Sequence, residues 1–161
     1  ECGHHEIGCI TGPLNRYQAQ MRYEGYKRAL NEEGLEFHSN WIIESNFDCD
    51  GGYEAFNRMY QKGPLPSAIF VCNDMMAMGV INAANEKGIA IPEELSIIGY
   101  DDIQIAKFMS PSLTTIHQPK YSLGQAAVET LLRRLDKNCD ETQVIQLEPT
   151  LVERSSVTIL S

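Results

Sequence analysis

The chain has 161 residues, of which 43% are hydrophobic and 22% are charged, as expected for one globular domain with a buried core. Its 13 Lys and Arg against 22 Asp and Glu give a net charge of -9, and no basic cluster extends beyond Arg133 and Arg134. This balance argues against direct binding of a nucleic-acid backbone, and the lack of an apolar run of about 18 residues argues against a membrane span.

Short β-rich runs alternate with helical runs along the first part of the chain. The predicted strands cover residues 6–12, 41–47 and 67–73. Each is followed by a predicted helix, over 16–33, 52–62 and 75–87. A glycine follows each helix and is expected to end it: Gly34, Gly63 and Gly88. Three consecutive βα units favour a parallel sheet.

The remaining elements continue this architecture. Two more strands are predicted over 95–101 and 113–118, separated by a short helix, and a last strand lies within 144–157. The clearest amphipathic helix covers 121–135, with Leu123, Ala127, Leu131 and Leu135 on one stripe. Strand runs such as AIFV and SIIG lack polar alternation, as expected for strands covered by helices on both faces. The predicted fold class is therefore α/β, with a doubly wound parallel sheet.

Four of the predicted strands end in polar or aromatic side chains. In an open parallel sheet, ligands bind beyond the carboxyl ends of the strands, where loops and helix N-termini converge. The groups expected at this rim are Asn46, Phe47, Asp48, Asn73, Asp74, Asp101, Asp102, His117 and Gln118. Carboxylates and amides suit sugar hydroxyls, an aromatic ring covers the apolar face of a sugar, and Arg22 adds a planar fork of donors. The set favours a polyhydroxylated ligand.

Each of these residues also has a structural interpretation. Asp74 and Asp102 precede helical runs, where Asp commonly caps a helix. Taken alone, Phe47 is more typical of a core residue. Arg22 is more typical of an arginine on a solvated helix surface. The residues alone leave these alternatives open.

The motifs of common enzyme classes are missing. No G-x-S-x-G elbow, P-loop or G-x-G-x-x-G turn occurs, so neither a catalytic residue nor a cofactor is expected. The histidines of CGHHE, residues 2–6, fit no common zinc spacing, and no metal site is expected. An enzyme that holds Mg²⁺ at Asp101 and Asp102 and acts on a sugar or phosphate remains a minor alternative.

The cysteines indicate a reducing compartment. Cys2, Cys9, Cys49, Cys72 and Cys139 are odd in number and show no CxxC spacing, so free thiols in the cytoplasm are expected. No signal peptide is recognisable, and a start without Met indicates a fragment of a longer protein.

A series of motifs resembles the effector-binding region of the LacI/GalR family of bacterial transcriptional repressors. The motifs, in order, are GCITGP, RYEGYKRAL, SAIFVCNDMMAMG, IPEELSIIGYDD, SPSLTTIHQP, LGQAAVETLL and LVERSS. The resemblance covers essentially the whole chain. The family's fold is similar to that of type I periplasmic sugar-binding proteins, in which a ligand binds between two α/β lobes joined by three crossings.

The resemblance implies that this chain is mostly the C-terminal lobe. Residues 1–118 and 148–161 would form that lobe, and residues 119–147 would return to an N-terminal lobe that, like the helix-turn-helix, is absent from this sequence. The family's effector-contacting positions fall on Arg22, Phe47, Asn73, Asp101 and Gln118. Because ribose-binding proteins of the same fold use these residue types there, D-ribose is the expected effector.

The implied parent protein is a cytoplasmic, dimeric regulator of sugar-utilisation genes. Sugar would close the two lobes and change operator binding through the absent DNA-binding domain. The main alternative is a secreted receptor of the same fold that binds sugar for transport. Without its other lobe the chain would expose Leu123, Leu131 and Leu135, so segment swapping or self-association with a second copy is expected.

Overall fold

The computed structural model describes residues 2–135 and 144–160. Its strands are β1 (Ile7–Thr11), β2 (Ile42–Glu44), β3 (Ala68–Val71), β4 (Ser96–Asp101), β5 (Thr114–His117) and β6 (Thr150–Val152). Its α-helices are α1 (Tyr17–Glu32), α2 (Cys49–Gln61), α3 (Asp74–Glu86) and α4 (Lys120–Leu135). Short 3₁₀ helices cover Ser39–Trp41 and Gln104–Phe108.

The strands form one sheet in the order β2-β1-β3-β4-β5-β6. Neighbouring strands are parallel from β2 to β5, and β6 pairs antiparallel with β5 at the edge. The chain moves outward from β1 to β2 and then back past β1 to β3 and β4. Because such crossovers are right-handed, α1 lies on one face of the sheet and α2 and α3 on the other. The predicted doubly wound α/β fold is confirmed.

The two faces of the sheet are covered unequally. On the face of α2 and α3 the strand side chains are fully buried: Ile10, Ile69, Val71 and Ile97. On the face of α1, Phe70, Ile98 and Ile116 are only half-buried and line an open apolar trough of about 650 Å³. The expectation of helices over both faces therefore holds fully for only one face of the described chain.

Helix α1 buries a different stripe from the one that its sequence suggested. Ala19, Tyr26 and Leu30 are its buried residues. Met21, Gly25 and Ala29 do share a face, but they are exposed along the border of the trough. The helix ends at Glu32, and Gly34 follows with a φ of 67°, as the predicted helix end requires.

Helices α2 and α3 meet with their backbones in contact. A Cβ atom at Gly52 would lie 2.1 Å from the carbonyl oxygen of Met76, and one at Gly79 would lie 1.9 Å from the carbonyl oxygen of Cys49. Only glycine leaves room for this approach. The close packing fixes the N-terminus of α3 beside the carboxyl ends of β3 and β4.

Helix α4 buries none of its side chains. Leu123, Leu131 and Leu135 are 44%, 57% and 69% exposed, so the stripe predicted on this helix is largely uncovered in the described structure. No helix within the described residues has both the length and the apolar character that a bilayer span requires. Cys2, Cys9, Cys49 and Cys72 are free thiols, whereas Cys139 lies outside the described residues.

Candidate functional site

A polar cleft of about 490 Å³ opens at the carboxyl ends of the strands. Its lining residues are Pro13, Arg16, Gln18, Arg22, Asn46, Phe47, Asn73 and Asp101. Four of the five predicted ligand-binding residues therefore lie together. The fifth, Gln118, follows β5 and reaches the same place by donating a hydrogen bond to Asp101.

The centre of the cleft is an ion pair between α1 and the end of β4. Arg22 Nη2 lies 3.0 Å from Asp101 Oδ1, the oxygen that also accepts from Gln118 Nε2. The Arg22 guanidinium stacks 3.9 Å above the Tyr100 ring, and its Nη1 donates to the Cys72 carbonyl. These contacts fix both charges in place, while no described residue donates to Asp101 Oδ2.

Phe47 and Asn73 form the opposite wall and support each other. Asn73 Nδ2 donates to the Phe47 carbonyl over 2.9 Å, and Asn73 Oδ1 accepts from the Met76 amide over 2.9 Å. Phe47 has a φ of 75°, and its ring fills the space where a Cβ of Gly12 would lie, 2.1 Å from Phe47 Cζ. Phe47 is thus both a packing residue and part of the cleft wall, and Asn73 keeps one N–H for a ligand.

The alternative interpretation of Asp74 and Asp102 as helix caps is wrong. Asn73 caps α3, and Ile103 precedes the Gln104–Phe108 turn without a side-chain cap. Asp74 is the first residue of α3 and is fully buried, where it accepts from Thr115 Oγ1 at 2.6 Å and from the Ile103 amide at 2.9 Å. Burial raises the pKa of Asp74, and these two hydrogen bonds offset part of that rise.

Asp102 and His117 belong to a separate network beside the cleft. Asp102 Oδ1 accepts from Arg154 Nη2 at 2.6 Å, and Asp102 Oδ2 accepts from His117 Nδ1 at 2.9 Å. Burial acts to raise the pKa of Asp102, but the hydrogen bonds and charges of Arg154 and His117 outweigh it, so the pKa is lowered. Asp102 is therefore an ionised, paired carboxylate at neutral pH.

Two polar residues of the cleft, Arg16 and Gln18, were not predicted from the sequence. Arg16 and Gln18 lie at the start of α1, just after the loop that leaves β1, and both line the cleft. The rule that ligands bind beyond strand ends would have identified them if it had been applied to β1 as well. Arg16 is a second arginine, besides Arg22, that lines the cleft. Within the described residues, no group of three or more His, Cys, Asp or Glu is arranged to hold a metal ion.

A family model described as a periplasmic binding protein-like domain matches residues 1–157. The chain belongs to this family. The HTH-type transcriptional repressor PurR of Pasteurella multocida (strain Pm70) is 47% identical to this domain over 155 residues, which are 96% of the chain and 46% of the relative. The ribose operon repressor of Haemophilus influenzae is 44% identical over 157 residues, 98% of the chain and 47% of the relative.

A solved structure gives the same assignment. The LacI family transcriptional regulator from Enterococcus faecium, with bound ribose, superimposes with a TM-score of 0.86 at 31% identity, covering 99% of this chain and 59% of that one. This periplasmic binding protein-like domain spans about half the length of the curated relatives it matches. The resemblance to the effector-binding region of LacI-family repressors is confirmed, and the relatives named here are transcriptional repressors or regulators.

Proposed function

We propose that the cleft around Asp101 is the effector site of a longer LacI-family repressor, and that effector binding there changes the affinity of a separate domain for operator DNA. The observation that carries the proposal is the Arg22–Asp101–Gln118 cluster at the open end of the sheet. Its donors and acceptors are held in position before a ligand arrives, which lowers the entropic cost of binding.

The chemistry of the cleft supports D-ribose as the first candidate effector. Asp101 Oδ2 can accept from two neighbouring hydroxyls, Arg22 can donate to hydroxyl or ring oxygens, and the Phe47 ring can cover the C–H face of a sugar. A ribose operon repressor and a ribose-bound LacI-family regulator are among the proteins similar to this chain.

A purine is the second candidate. Relatives named PurR match this chain at 42% to 47% identity, close to the 44% of the ribose operon repressor. A planar base would stack on Phe47, and its ring N–H groups and exocyclic oxygen would pair with Asp101 and with an arginine of the cleft. A purine would therefore stack its planar ring on Phe47, whereas a sugar would place its C–H face against the same side chain.

The proposed regulator acts in the cytoplasm. The proposed function is tested by measuring whether an effector changes the binding of the protein to DNA. Full-length protein would be combined with operator DNA selected from a random pool, and its mobility shift would be measured with D-ribose and with hypoxanthine. We expect one of them to change operator affinity by about 5- to 150-fold, the usual range of allosteric coupling. A protein that binds sugar but selects no DNA would instead be a transport receptor.

We further propose that residues 119–147, of which 136–143 lie outside the described residues, return to a second lobe in the full-length protein. In this chain, α4 borders an open apolar groove of about 300 Å³ together with Ile145 and Leu147. The leucines on α4 are 44% to 69% exposed. Burial of such surface is favourable. A homodimer of this chain, formed by segment swapping or by apposition of these surfaces, is therefore the expected state of the isolated chain.

Light scattering tests this prediction of self-association. The 161-residue chain is expected to elute as a dimer or larger species whose fraction rises with concentration, and the double substitution Leu131→Glu, Leu135→Glu should shift it to monomer. Phe37→Glu, at an exposed position on the loop after α1, is the matched control and should leave the association unchanged. A monodisperse monomer at high concentration would contradict the prediction.

A further inference from the structure

The turn after β4 holds two consecutive non-glycine residues in the left-handed region. Asp101 has a φ of 112° and Asp102 a φ of 48°. Such angles are uncommon for residues other than glycine, although aspartate tolerates them better than most, and two in succession persist where the surrounding structure holds them. The turn carries Asp101, the central carboxylate of the cleft, so whatever enforces the turn also determines where that carboxylate points.

The contacts that enforce the turn come from Asp102. Its two carboxylate oxygens bind Arg154 and His117 at 2.6 and 2.9 Å. Arg154 is itself fixed, because its Nη1 donates to the Leu113 carbonyl over 2.7 Å and its backbone N–H donates to Thr114 Oγ1 over 2.9 Å. The Arg154 and Asp102 side chains are only 16% and 18% exposed, so solvent screens this pair less than a surface pair.

A second cation holds the backbone of the same turn. Lys120 Nζ, at the start of α4, donates to the Asp101 carbonyl and lies 3.4 Å from the Asp102 carbonyl oxygen. Lys120 follows β5, where the chain enters α4, and Arg154 follows β6, where it returns. Neither residue lines the cleft, yet both contact the turn that presents Asp101 to it.

We infer that Asp102, Lys120 and Arg154 are positioning residues for the effector site. We call these three residues the turn clamp. The clamp holds the Asp101–Asp102 turn in its left-handed conformation, so that the Asp101 carboxylate meets Arg22 and Gln118. The inference rests on the proposed function, because it concerns the affinity of the same cleft.

Loss of Arg154 would act on the effector through Asp101. Asp102 would be left largely buried with His117 as its one remaining side-chain partner, and the loss of one partner of a buried ion pair is unfavourable. The turn would then relax toward ordinary backbone angles, and the Asp101 carboxylate would rotate away from Arg22 and Gln118. The lowered pKa of Asp102, which its partners maintain against burial, is consistent with a strong pair.

The test is calorimetric titration of the full-length protein with D-ribose and, separately, with hypoxanthine. For the probe that the unaltered protein binds, Arg154→Met is expected to weaken affinity about tenfold or more, which is the loss of one charge-assisted contact. Arg154→Lys should recover part of the loss, since it restores the charge. Arg28→Met, at an exposed arginine on α1, is the control and should bind as the unaltered protein does.

A double substitution separates positioning from a general loss of structure. In an Asp101→Asn background, Arg154→Met should cause little further loss of affinity, because the group that the clamp positions has already been changed. Full additivity of the two losses would overturn the inference. Thermal melting of each variant checks folding. If Arg154→Met does not fold, Asp102→Asn, which keeps the shape of the side chain, replaces it in the same comparison.

The outcomes distinguish the clamp from the effector site itself. Weaker binding with Asp101→Asn but normal binding with Arg154→Met and Asp102→Asn would overturn the clamp and leave the proposed function standing. Normal binding with all three substitutions would overturn both the clamp and the assignment of the cleft. Failure of the unaltered protein to bind D-ribose, hypoxanthine, galactose, fructose or a phosphorylated sugar would likewise overturn both.

Discussion

Asp101→Ala in the full-length protein is expected to weaken effector binding by about 100-fold or more, which corresponds to one or two charge-assisted hydrogen bonds. The substitution removes the carboxylate that faces the cleft and leaves the Arg22 guanidinium, 3.0 Å away in the unaltered protein, without its counter-charge. Titration with D-ribose by calorimetry measures the loss. Operator binding without effector should remain nearly intact, because Asp101 belongs to the proposed effector cleft and not to a DNA-binding domain.

The control for this prediction is another acidic residue changed in the same way. Glu93 is exposed in the loop between α3 and β4, and Glu93→Ala should leave affinity unchanged. If Asp101→Ala bound the effector as tightly as the Glu93 variant, the cleft would not be the effector site. A parallel loss of operator binding would mean that the substitution disturbs the fold rather than the ligand.

Gly79→Ala is expected to have the largest effect on stability, a loss of about 3 kcal/mol or more in the free energy of unfolding. The added methyl would lie 1.9 Å from the Cys49 carbonyl oxygen and 2.6 Å from the Tyr53 nitrogen. Both are backbone atoms of α2, so neither can rotate away, and the two helices must separate. That separation would open the buried core around Phe56, Met76 and Val80.

A second helical glycine supplies the matched control. Gly25 lies inside α1, and a Cβ there would meet nothing within 4 Å. Gly25→Ala should therefore raise stability by about 0.5 to 1 kcal/mol, since alanine loses less backbone freedom on folding. Urea unfolding of the two variants measures both effects. Equal stabilities for Gly79→Ala and Gly25→Ala would contradict the backbone contact between α2 and α3.

Much of the fold was predictable from local patterns in the sequence. The βα periodicity and the glycines after the helices locate β1 to β5 and α1 to α4 within a few residues of their observed bounds. The rule that ligands bind beyond the carboxyl ends of parallel strands also predicted correctly that Phe47, Asn73 and Asp101 lie close together. It succeeds because parallel strands end at one edge, whatever the details of the side chains.

What the sequence could not predict depends on contacts between distant segments. Asn73 rather than Asp74 caps α3 because Thr115 and the Ile103 amide offer Asp74 buried partners, and neither is near it in sequence. Asp102 pairs with Arg154 across 52 residues. The antiparallel direction of β6 and the open trough beside α1 likewise follow from the arrangement of whole segments rather than from any local pattern.

The most direct test of the effector site is a thermal-shift screen of the full-length protein against D-ribose, galactose, fructose, hypoxanthine and phosphorylated sugars. A ligand that binds only the folded protein stabilises it by about 2.7 kcal/mol at 100 times its Kd. We expect a saturable rise in Tm with D-ribose, and loss of that rise in Asp101→Ala. A rise with hypoxanthine instead would keep the regulator and change its effector, whereas no rise with any of these ligands would contradict the effector site.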